Sequence, residues 1–143
     1  MDERFTPRPV ARWYIPAAIG VLLLMAIGCF SYVVHLTTDP ATLPLDQRAM
    51  FKAEPAWGPA ALGLAAAIGV LGAICLIIRR KAAEPLLLVS LLGTLVWFAS
   101  LFVVAPLRDL LSTSDIAAAI VVLGLMWTIY GFARHSRQRG WLR

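Results

Sequence analysis

Few residues of this chain can do acid–base, metal or nucleophilic chemistry, and nearly all of them lie between its long apolar stretches. Its two histidines, His35 and His135, flank such stretches. The richest segment holds His35, Asp39, Asp46, Arg48, Lys52 and Glu54, and a shorter one holds Arg108, Asp109 and Asp115. Brought together, His35, Asp46, Arg48, Lys52, Glu54, Arg108 and Asp109 would form a mixed-charge docking surface or gate, since long ordered loops tend to carry function. The alternative is a solvated face. Cys29 and Cys75 both lie inside apolar stretches. On helices of 1.5 Å rise per residue they differ in depth by about 15 Å. A disulfide needs Cα atoms within about 7 Å, so both are expected to be small hydrophobes. No metal-ligand spacing, phosphate-binding glycine loop or nucleophile elbow occurs. The expectation is a non-enzymatic chain with no catalytic residue, metal or cofactor.

The elements that position these residues follow from composition. Of 143 residues, 60% are hydrophobic and 15% charged, against roughly 25% charged in soluble domains. Mean hydropathy is +0.79. This excludes a disordered chain and argues against a soluble globule, which could not hide so much apolar surface at this size. Four stretches, about 13–36, 57–78, 85–107 and 116–133, contain no Asp, Glu, Lys or Arg. Each is long enough to cross a bilayer core, which takes about 20 residues of helix. Barrel strands would alternate apolar and polar residues, whereas these runs are continuous. The prediction is therefore an all-α, polytopic membrane protein: one domain over 1–143, folded as an antiparallel up-down-up-down four-helix bundle. Pro16, Pro59 and Pro85 fall in first turns, where a missing N–H costs little. Ser112 to Asp115 supply an N-cap region for the fourth helix. In the first loop, 37–56, Asp46–Glu54 has helical composition between Pro44 and Pro55, which predicts a short interfacial helix.

Orientation follows from the basic residues. Arg4, Arg8, Arg12, Arg79, Arg80, Lys81, Arg134, Arg137, Arg139 and Arg143 share one side, and Arg48, Lys52 and Arg108 the other. The richer side should be cytoplasmic, with both termini inside. Arg12, Arg79, Arg80, Lys81, Arg134, Arg137 and Arg139 are then expected to meet lipid headgroups, and the net charge of +5 signals lipid rather than nucleic acid. The basic and aromatic tail around Trp141 suits the same interface, as do Trp13, Trp57 and Trp127 at span ends. The first span resembles a signal peptide, but the chain stays apolar after Cys29, so an uncleaved span is expected.

Between lipid-immersed helices, small residues permit close approach. Ala61, Ala65, Gly69 and Ala73 recur every four residues in the second span, which predicts that it is the central helix. Gly20 and Gly28 form a weaker stripe in the first span. Intrachain packing is the simpler role for both stripes, and dimerisation the other. The third span, with Trp97, Phe98 and Phe102, is expected at the bundle edge or against another subunit. Ionisable residues are missing at mid-depth, which excludes the embedded-carboxylate exporters, four-helix cytochromes b and disulfide-forming membrane enzymes. Hydroxyls such as Ser90, Thr94 and Thr128 are expected to bond their own helices, and Trp97 to pack.

Gly28-Cys29-Phe30-Ser31-Tyr32, Glu54-Pro55-Ala56-Trp57, Leu71-Gly72, Arg79-Arg80-Lys81-Ala82-Ala83 and Ser90-Leu91 carry a resemblance over residues 13–105. The chain resembles a family of small four-span proteins of bacterial inner membranes, many from alphaproteobacteria, grouped as candidate sugar transporters or without an assigned role. The resemblance implies an inner-membrane location and transport, without a set of sugar-binding residues. Two functions are weighed. The first is an accessory, scaffold or assembly subunit, acting on a homo-oligomer or a membrane-protein partner through helix faces and the first outer loop. The alternative is a permease-like unit for a neutral or lipophilic solute such as a sugar.

Overall fold

The computed structural model describes residues 9–143; Arg4 and Arg8 lie outside them. The regular elements among the described residues are all helical: α1 (Tyr14–Thr37), a 3₁₀ turn (Pro40–Thr42), α2 (Leu45–Ala53), α3 (Trp57–Ile77), α4 (Ala83–Val103), α5 (Ala105–Leu110) and α6 (Thr113–Gln138). Helices α1, α3, α4 and α6 are long and apolar enough to cross a membrane, and a helix satisfies its own backbone in hydrocarbon. The chain is thus a multi-pass, all-helical membrane protein. One end of the bundle, the terminus end, carries the start of α1, the end of α6 and the α3–α4 turn. The other, the loop end, carries α2 and α5.

Local chemistry sets the helix limits. The third span, expected to run to 107, stops at Val103, and the extended Val104 leads into α5. A helix continued through Pro106 would lose a backbone bond and drive the ring into the carbonyl four residues earlier. Helix α6 runs past its apolar stretch to Gln138, because no breaker intervenes before Gly140 at φ 72°. Trp141 N–H then donates to Ser136 O at 3.0 Å and Gly140 N–H to Arg137 O at 3.0 Å, a Schellman ending. Helix α3 ends the same way, with Arg80 N–H donating to Cys75 O at 2.8 Å. There Arg79 takes the left-handed position at φ 62°, where glycine is usual.

The helices pack in series: α1 on α3, α3 on α4, and α4 on α6. This corrects the expectation that the third span lies at the edge. The most apolar 18-residue window of α4 is 39% buried, against 28% in α3, so the two share the centre. The reason is the side that α4 turns to α3, which is small despite Trp97 and Phe98. A Cβ on Gly93 would stand 2.9 Å from Ala65 Cβ and 3.3 Å from Ala61 O. Ser90, one helical turn earlier, donates from Oγ to Ala65 O at 2.7 Å. Of the α3 stripe, Ala65, Gly69 and Ala73 are buried and Ala61 half-buried. A Cβ on Gly69 would lie 2.7 Å from both Met25 Sδ and Ser90 Oγ, so the stripe serves α1 and α4 at once. Gly20 and Gly28 of α1 have nothing within 4 Å of such an atom.

At the terminus end, aromatic rings bridge α1 and α6. Tyr14 and Phe132 are 5.5 Å apart, and Trp141 stands edge-on to Trp13 at 5.6 Å and to Tyr14 at 5.7 Å. The Tyr14 hydroxyl donates to Leu76 O at 2.7 Å. Trp141 is 7% and Leu142 3% exposed, which corrects the reading of this tail as a lipid-interface segment. The tail is held by the α3–α4 turn: Arg143 N–H donates to Arg79 O at 2.6 Å, and Lys81 N–H to Arg143 O at 3.0 Å. Burying the indole against the bundle while satisfying the adjoining backbone removes more apolar area from water than an interfacial position would.

Candidate functional site

The buried core falls into two parts. A large cluster at the terminus end includes Tyr14, Met25, Leu76, Leu87, Met126 and Trp141. A small one at the loop end joins Phe98, Leu101, Leu107 and Ala119. Between and beside them lies a cavity of about 820 Å³, within the range of small-molecule sites. It exists because α1 and α6, joined by rings at the terminus end, do not pack along the rest of their length. Ile27, Ser31 and Tyr32 of α1 face Ala119, Val122 and Met126 of α6 across it, with Ala65, Ser90, Thr94 and Trp97 behind. Ile27, Val122 and Leu125 remain well exposed, so the gap between these two helices opens sideways.

A roof closes the loop end, formed by Met50, Phe51 and Glu54 from α2 and its cap, with Leu107 of α5. Glu54, where α2 stops, ties it to the spans. Its Oε1 accepts from Trp97 Nε1 at 2.9 Å, and its Oε2 pairs with His35 Nε2 at 3.2 Å. The Glu54 side chain is only 9% exposed, against 34% for His35. The His35 ring packs on Phe51, tilted by 37° with ring centres 4.7 Å apart. A largely desolvated carboxylate thus holds α1, α2 and α4 together, with hydrogen bonds stronger than neutral ones.

The rest of the mixed-charge set does not join this cluster. Arg48 donates to the carbonyls of Pro40 at 3.0 Å, Ala41 at 2.5 Å and Leu43 at 3.3 Å, fastening the 3₁₀ turn to α2. Asp46 and Lys52 are exposed on α2. Arg108 and Asp109 stand 4.0 Å apart, both well exposed. Asp39 caps the 3₁₀ turn through Ala41 N–H at 2.9 Å. Asp115 closes a capping box with Ser112 at the start of α6 and also lines the cavity. Of the seven residues proposed for docking or gating, only His35 and Glu54 join this cluster; among the described residues Arg108 and Asp109 meet only each other. The structure adds Trp97, which sequence reasoning treated as packing. The signal was there: a mid-span indole carries an N–H that needs a partner when buried.

At the terminus end, Arg12, Arg80, Lys81, Arg134 and Arg139 are exposed, free to meet headgroups. Two other basic residues turn to protein instead. Arg79 Nε donates to Trp141 O at 2.9 Å, and Arg137 Nη1 pairs with Glu84 at 2.7 Å. Among the described residues no group of three or more His, Cys, Asp or Glu is placed to hold a metal ion.

Fold and site together define the class: a four-span membrane protein whose helices leave a roofed, apolar cavity open between its first and last spans. No family model, curated protein or solved structure matches the chain.

Proposed function

We propose that this protein is a non-enzymatic, permease-like unit of the bacterial inner membrane that holds a lipophilic solute in the loop-end cavity. The cavity carries this reading: about 820 Å³ in volume and walled mostly by hydrocarbon. The side opening lets a solute arrive from the bilayer rather than from water. The four-span resemblance to candidate sugar transporters agrees with transport, but the wall favours a lipophile over a sugar. Ser90 and Thr94 already spend their protons on the carbonyls of Ala65 and Ser90. From Met25 on the floor to His35 under the roof, α1 rises about 15 Å, half of a hydrocarbon core about 30 Å thick. With the arginine-rich end cytoplasmic, the cavity occupies the outer leaflet. Reporter fusions are expected to place residue 143 in the cytoplasm and residue 48 outside. The reverse pattern would move the cavity to the inner leaflet.

The test of the cavity is Gly28→Trp. Gly28 lines it, and an added Cβ there meets nothing within 4 Å, so a side chain starts into open space and the fold is expected to be kept while the space is filled. Native mass spectrometry of protein released from nanodiscs is expected to show a co-purifying lipophile in the wild type and at least a tenfold loss in Gly28→Trp. Equal retention in both would refute the reading. A second role, as an accessory or assembly subunit, is favoured by one observation: Gly20 and Gly28 leave an uncovered small-residue stripe on α1 for a helix of another copy or a partner. Gly20→Trp separates the two, because Gly20 is outside the cavity lining. It should disrupt association while leaving lipophile retention unchanged.

A further inference from the structure

We propose, resting on the cavity reading above, that the site selects amphiphiles with a cationic head, an ammonium-type group on a hydrocarbon chain. The head would lodge beside Glu54 under α2, and the chain would run along α1 toward Met25. The charge inventory of the wall is one-sided. Among the described residues its carboxylates are Glu54 and Asp115, His35 is its only imidazole, and neither lysine nor arginine lines it. The basic residues of the loop end lie outside the lining: Arg48 is spent on three backbone carbonyls, and Lys52 and Arg108 are exposed. An anionic head would meet a wall that offers two carboxylates and no lysine or arginine.

Glu54 is suited to a cation on three counts. It is 9% exposed, so its field is screened less than that of a surface carboxylate. Each oxygen already has one partner, yet a carboxylate offers about four acceptor positions, leaving room for a head's N–H or N–CH₃ groups. Trp97, Phe51 and Tyr32 also line the same end of the cavity. Aromatic faces attract ammonium groups, more so when water is excluded. The floor, with Met25, Met126 and Ile129, is apolar and matches a chain rather than a second polar group. A soluble cation without a chain would leave most of the volume unfilled.

The experiment uses three diazirine-bearing alkyl probes of equal chain length with trimethylammonium, hydroxyl or sulfate heads. Each is added at low mole fraction to the full chain in nanodiscs of zwitterionic lipid, and labelled residues are mapped by mass spectrometry. The expected result is at least tenfold more labelling of cavity residues by the ammonium probe than by the sulfate probe, with the alcohol between. In Glu54→Gln, which keeps an oxygen for the Trp97 N–H, that preference should fall below twofold. Equal labelling by the three probes, or a preference untouched by Glu54→Gln, overturns the selectivity and leaves the cavity reading standing. If no probe labels the cavity, the cavity reading itself fails. Should Glu54→Gln not assemble, salt decides on the wild type. A preference held within twofold at about 0.5 M salt supports the buried carboxylate, and one that vanishes points to exposed surface charge and overturns the proposal.

Discussion

Gly93→Leu is expected to pry α3 from α4 and cost the folded bundle about 3 kcal/mol or more, the upper end of overpacking penalties. The neighbours leave no way to yield. An added Cβ would meet Ala65 Cβ at 2.9 Å, Ala61 O at 3.3 Å and Ala65 Cα at 3.5 Å, all of them backbone or the first side-chain atom. At Gly69 the intruder meets two side-chain atoms, Met25 Sδ and Ser90 Oγ, both at 2.7 Å; the flexible methionine can swing aside and the hydroxyl can rotate. At Gly93 whole helices must separate. That would also stretch the Ser90–Ala65 hydrogen bond, 2.7 Å long in the native packing. Interhelical bonds of this kind average about 0.6 kcal/mol in membranes, so most of the loss is steric. Reversible unfolding in mixed micelles measures it. Gly124→Leu is the control, because an added Cβ there meets nothing within 4 Å, and it should leave the midpoint in place. Equal midpoints for the two variants would mean that α3 and α4 are not in contact at this height.

Trp141→Ala should cost about 3 kcal/mol, as large-to-small truncation of a buried indole does. The ring packs on Trp13, Tyr14 and His135. Its removal opens the one place where the first and last spans are bridged by rings. Trp141→Phe keeps an aromatic partner and should recover most of the loss. The loop end should report nothing, since the Glu54 cluster and the roof lie at the far side of the bundle. Lipophile retention in surviving Trp141→Ala protein is expected to stay near wild type. Loss of the lipophile alongside stability would show that the cavity depends on the ring cluster holding α1 to α6.

The four spans were legible because lipid imposes one strong condition, a run of apolar residues long enough to cross, and nothing in 13–36 or 57–78 competes with it. The break at Val104 was missed because hydropathy continues through Pro106 while hydrogen bonding does not. The stripe Ala61, Ala65, Gly69 and Ala73 could be read from its period of four. Its partner could not: Gly93 stands alone among bulky neighbours, and which side of α4 turns to α3 is decided by packing, not composition. The mixed-charge loop illustrates a different limit. Sequence places His35 and Glu54 in one segment with Arg48, Lys52 and Asp46, all equal in kind. Only the fold shows that Arg48 is consumed by the turn beneath it, while Glu54 reaches Trp97, 43 residues further along. The cavity was invisible for the same reason, being made by two helices that fail to meet.

Trp141 comes after all four spans in the order of the chain, so it is synthesised later than every helix it packs against. Until then Trp13 and Tyr14 wait without the indole that later wedges between them and the α3–α4 turn. A nascent chain stalled short of this tryptophan would therefore lack the ring that packs on Trp13 and Tyr14, and would present a more loosely held first helix to quality-control proteases.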